Sequence, residues 1–74
     1  MIHSSKIHDL VEVVPVFSIA WITASGEKVY VRKAKCTSFH SSGETMNIMI
    51  LESREVRKVN RVTITEFNGE EVIL

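Results

Sequence analysis

The chain's three glycines stand singly at positions 26, 43 and 69, and each lies in a short polar step between β-prone stretches. Gly26 follows Ala24-Ser25, Gly43 follows Ser41-Ser42 and Gly69 follows Asn68. Glycine reaches positive φ without a Cβ penalty, and Ser and Asn tolerate turn geometry, so these steps read as reversals of direction. Asn68-Gly69 carries the strongest hairpin signal, because both residues accept the positive φ that a type I′ turn demands. Helix formers are sparse, and Val, Ile, Thr, Tyr, Phe and Trp dominate from Ile7 onward.

Between the turns the side chains alternate. Phe17, Ile19, Trp21 and Thr23 share one face of a strand, with Ser18, Ala20, Ile22 and Ala24 on the other. A second long strand runs from about Lys28 to Phe39, and the parity of its apolar residues changes after Val31. A bulge near Lys33 accounts for that change, since one extra residue re-aims every side chain after it. Met46, Ile48 and Ile50 then oppose Thr45, Asn47 and Met49. From Glu52 to Arg61 the pattern weakens, and a short strand, a kink or a single 3₁₀ turn fits equally well. RVTITEF resumes the alternation, and EEVIL is its return strand.

These segments define an all-β protein: a small antiparallel five- or six-stranded barrel or folded sheet, SH3-like preferred over OB-like. The preference rests on a single turn near Val56 ahead of a last long strand. Residues 1–8 read as a loose N-terminal arm or edge segment, and residues 9–74 as one small β-barrel domain.

With 74 residues and a single cysteine, Cys36, the chain has one small core and no internal disulfide. A core of this size seldom supplies more than about 3–5 kcal/mol, so a partner subunit is the expected source of further stability. A hydrophobic fraction of 45% with zero formal charge excludes intrinsic disorder and argues against a dedicated nucleic-acid binder. The longest apolar stretch, VVPVFSIAWI from Val13 to Ile22, is too short for a membrane helix of about 20 residues, and Asp9, Glu12 and Pro15 spoil an export signal. The expectation is no membrane association and a cytoplasmic location.

The order FSIAWI, a Ser-Gly turn, an Ala-x-Cys strand, GETMNIMI and ITEFNGEEVIL resembles the short uncharacterised small β-barrel proteins carried by phages and mobile elements of gut Bacteroidetes bacteria. The resemblance spans roughly residues 17–74. It implies a phage or mobile-element setting, in the cytoplasm of the bacterial host or incorporated in the virion. It carries no catalytic residues across, and the basic segment at 54–61 departs from its pattern.

Chemistry-bearing residues form no catalytic, cofactor or metal constellation. Cys36 and His40 lie about 13 Å apart along an extended strand, beyond a shared tetrahedral ion even with His3 and His8 nearby. Cys36 reads as a small core residue, because a free cysteine packs like an apolar group. No Gly-rich phosphate loop is present, and neither an enzymatic role, a cofactor nor a small-molecule substrate is expected.

Two surfaces remain. Seven of the nine basic residues, Arg32, Lys33, Lys35, Arg54, Arg57, Lys58 and Arg61, fall in two segments that make one patch if their strands are near. With Tyr30 or Phe39 beside it, such a patch suits single-stranded nucleic acid. With Glu52 and Glu55 interleaved, it suits a solvated face or an acidic neighbouring subunit better. The second surface is the strand apolar on both sides, where Val16, Phe17, Ala20, Trp21 and Ile22 are the expected partner interface. A barrel strand closed over by its own loops is the alternative. The functional expectation is a noncatalytic assembly or adaptor module, a phage-associated structural protein that contacts itself or other phage structural proteins. The runner-up is a small nucleic-acid-binding barrel.

Overall fold

The computed structural model describes residues 1–40 and 44–74, so the turn expected at Ser41-Ser42-Gly43 lies outside the described residues. The elements run β1 (Ile2–His3), a 3₁₀ turn (Ser4–Lys6), α1 (Ile7–Val13), β2 (Phe17–Ile22), β3 (Lys28–Phe39), β4 (Thr45–Ile50), β5 (Val56–Asn60), a 3₁₀ turn (Arg61–Thr63), β6 (Ile64–Phe67) and β7 (Glu70–Ile73). The protein is a small all-β fold. The described strands form one sheet in the order β1-β7-β6-β2-β3-β4-β5. It is antiparallel except for β1, which runs parallel to β7 with Ile2 opposite Val72 and His3 opposite Ile73. The sheet is open: β1 and β5 end it, so it does not close into the barrel that was the first alternative above.

Bulges curl the sheet around its core. Ile19 pairs with Val31 and Phe17 with Ala34, so Arg32 and Lys33 together oppose Ser18, where the parity change places a bulge. The extra residue returns Ala34 to the inner face, and Val31 and Ala34 are both buried. A second bulge follows: Cys36 pairs with Ile48 and Ser38 with Asn47, leaving Thr37 unopposed. A third leaves Thr65 unopposed between Ile64, which pairs with Trp21, and Glu66, which pairs with Ala20. Three one-residue insertions keep Ile64 and Phe67, or Cys36 and Phe39, on the concave side despite their odd spacing.

Residues 1–8 are not a loose arm. Ile2 and His3 pair with β7, and the chain then winds into α1. Ile7, Leu10, Val11 and Val14 recur at the i, i+3, i+4, i+7 spacing of a helix stripe, and all four belong to the core cluster or pack against it. Ile7 is wholly buried, and His8 stacks on Phe39 with ring centroids 4.0 Å apart. His3 caps the first turn, its Nδ1 accepting from the Ser5 N–H at 3.2 Å. Pro15 follows the C-cap at Val14, where it cannot continue the helix. The stretch from Val13 is therefore helix end and connection up to Val16, and strand only from Phe17.

The core fills the concave side with Phe17, Ile19, Trp21, Ile48, Val59, Ile64 and Phe67, and α1 helps to cover it. Phe17 and Phe67 pack ring on ring, centroids 4.8 Å apart. Asn68 (φ 50) and Gly69 (φ 80) make the tight turn expected of them. Asn68 also bonds across the sheet: its N–H donates to the Ser18 carbonyl at 2.9 Å and its Oδ1 accepts from the Ser18 N–H at 3.0 Å. Of the three alternatives for the weakly patterned segment the short strand is the one formed, over Val56–Asn60, and a 3₁₀ turn follows it at Arg61–Thr63 rather than near Val56. Asn60 starts that turn, its Oδ1 accepting from the Val62 N–H.

Candidate interaction surface

The two-faced strand is sheltered on both sides by its own chain. Phe17 and Trp21 point into the core at 2% and 5% exposure, so neither is presented to a partner. On the outer face Ala20 is 0% exposed. It sits between its cross-strand neighbours Tyr30 and Glu66. Lys28, opposite Ile22, reaches Glu66 at 3.9 Å and bridges the same strip. Ile22 is half-buried, and Val16, ahead of the strand, is 46% exposed. Of the five residues expected to form a partner interface, three are enclosed within one copy. The reason is local: a small Ala flanked by Tyr and a Lys–Glu pair needs no second molecule to cover it.

The basic residues do not gather into one patch. β4 lies between β3 and β5, so the two basic segments are separated by a strand. Registered neighbours share a face, which puts Lys35 (opposite Met49) and Lys58 (opposite Asn47) on the outer side. Arg57, opposite the buried Ile48, lies on the other side. Arg32 reaches Glu52 at 3.4 Å and Arg57 reaches Glu55 at 3.0 Å. These exposed pairs are worth at most about 1 kcal/mol each. Arg54 occupies the β4–β5 turn at φ 61, and Arg61 is half-buried with its Nε enclosed and without a hydrogen-bond partner among the described residues. Of the two aromatic residues proposed beside the patch, Tyr30 is exposed and Phe39 is taken up by His8 and the core.

Sequence reasoning passed over the free edge of the sheet. β5 pairs with β4 on one side and ends the sheet on the other. Only Val59 of its five residues is buried, while Val56 and, just beyond it, Val62 are 57% and 51% exposed. Between β5 and the β2–β3 hairpin an open groove of about 430 Å³ is lined by Trp21, Thr23, Val29, Thr45, Arg57 and Asn60. The signal was present in the sequence: a strand with a single inward apolar residue, Val59, and charges on both faces is what an edge position permits.

Among the described residues no group of three His, Cys, Asp or Glu side chains is placed to hold a metal ion. Burial pushes the Cys36 thiol above its ordinary 9.0. Its Sγ donates to the Ser38 carbonyl at 3.6 Å, and a backbone hydrogen bond with Ser38 partly offsets the effect of burial. No helix among the described residues is long and apolar enough to cross a membrane. Comparison with known protein families, curated proteins and solved structures finds no match to this chain.

Proposed function

We propose that the protein is a noncatalytic assembly or adaptor module, a phage-associated structural protein that works through protein–protein contacts in the bacterial host cytoplasm or in the virion. The observation that carries this reading is the unpaired β5 edge with its exposed Val56 and Val62, in a domain that has a single cysteine and therefore no internal disulfide. An open row of backbone donors and acceptors is a template for another chain. The contact surface moves accordingly from β2 to β5, with Val16 and Ile22 the residues of the original interface that still reach solvent. Sedimentation of the protein, alone and with the products of neighbouring genes, tests the reading. Concentration-dependent or partner-dependent growth in mass supports it, and an unchanging monomer in every mixture refutes it.

A second reading is binding of single-stranded nucleic acid. Lys33, Lys35 and Lys58 have no carboxylate within 4 Å among the described residues, and Tyr30 stands exposed on the same outer side as Lys35 and Lys58. Binding to single-stranded DNA that weakens steeply as salt rises would support it, and no binding at low salt would remove it.

A further inference from the structure

The two ends of the open sheet carry opposite charge. Residues 54–62, around β5, hold Arg54, Arg57, Lys58 and Arg61 against Glu55, a balance of +3 from the sequence. Residues 66–74, around β7, hold Glu66, Glu70 and Glu71 and no base, a balance of −3. Each end also exposes apolar side chains: Val56 and Val62 at the basic end, Met1, Ile73 and Leu74 at the acidic end. At the acidic end β1 covers only Val72 and Ile73, which leaves Glu70 and Glu71 with no strand beyond them among the described residues.

The faces match as well. Arg57 shares the inner face with Ile48, and Lys58 the outer face with Asn47. Glu70 is opposite the buried Phe67, on the inner side, and Glu71 is opposite Glu66, on the outer side. A sheet continued from one copy to the next therefore brings a base toward an acid on both faces. A twofold pairing of β5 with β5 would instead set Arg57 and Lys58 of the two copies against one another, and like charges across a strand pair are destabilising.

We infer that the occupant of the β5 edge is a second copy of this chain, docked head to tail so that its Glu70–Glu71 edge meets Arg57 and Lys58. This rests on the assembly reading above and specifies its partner and geometry. A contact between two different surfaces does not saturate in a dimer; it closes into a ring or continues as a filament. The charges set the pairing and its salt dependence, while the backbone edge and the apolar side chains supply the contact itself.

Charge exchange tests the arrangement. Sedimentation velocity over a dilution series at low salt, about 20 mM, and at high salt, about 500 mM, gives the association strength under weak and strong screening. The wild type is expected to associate at low salt and to lose at least about tenfold in association constant at high salt. R57E/K58E alone and E70K/E71K alone are expected to be monomeric, and their equimolar mixture to associate again, since each copy then offers the complement of the other's reversed edge. All four positions are exposed, and a circular dichroism melt checks that each variant folds. Should a double reversal unfold, K58Q and E71Q report the same loss in milder form. A wild type that is monomeric at low salt overturns the inference. So does association that survives reversal of either edge, but that outcome leaves the assembly reading standing on another surface.

Discussion

β2 and β5 have the same kind of secondary structure and opposite situations. β2 reads FSIAWI and is apolar on both faces, yet it lies mid-sheet between β6 and β3 with Phe17, Ile19, Ala20 and Trp21 all buried. β5 reads VRKVN and is mostly polar, yet its backbone is paired on one side only and just Val59 is buried. The greasy strand is complete and the charged strand is the one left with bonds to make. Apolar composition measures how much a strand must bury; its place in the sheet decides whether the same chain can bury it.

The contrast breaks most visibly in the core. Phe17→Ala removes a ring packed against Phe67 and should cost about 3–5 kcal/mol, the whole of what a core this small supplies. The expected result is a chain already unfolded at 25 °C by circular dichroism. A variant that stays folded with a loss under about 1 kcal/mol would mean that β2 is not the structural centre.

Much of this was legible. The limits of β3, the bulge after Val31 and the Asn68-Gly69 turn follow from period-two patterns and glycine spacing, which are local signals. α1 escaped because its stripe of Ile7, Leu10, Val11 and Val14 is built from β-branched and aliphatic residues whose type suggests strand while their spacing dictates helix. The outer face of β2 is illegible for a different reason. Its cover comes from Lys28, Tyr30 and Glu66, residues eight to forty-six positions away from Ala20, and no periodicity within β2 reports them. Asn68 is the intermediate case: its turn role is local and readable, while its bonds to Ser18 span fifty positions and are not.

The claim that β2 is sealed can be sharpened at Ala20. Ala20 is fully buried between Tyr30 and Glu66, so Ala20→Leu should destabilise by about 1–3 kcal/mol through overpacking. Urea unfolding measures it. Were this face instead an empty seat for a partner, the added methyl groups would be tolerated in the isolated protein, and a change within about 0.5 kcal/mol would reinstate β2 as an interface.

The smallest effect is expected at the other strand, and its smallness is the point. Val56 is 57% exposed at the start of β5, so Val56→Thr keeps the branched shape, removes no buried contact and should leave the stability of dilute protein within about 0.5 kcal/mol. Concentration changes the expectation. If β5 is covered in the assembled state, binding of another copy stabilises the native form by mass action, and the wild-type melting temperature climbs with protein concentration. Val56→Thr weakens that contact, so its melting temperature should match the wild type at low concentration and fall behind as concentration rises. Parallel curves for the two proteins would mean that Val56 stays in water whatever the concentration, and β5 would then be an edge guarded by its charges rather than one that recruits a neighbour.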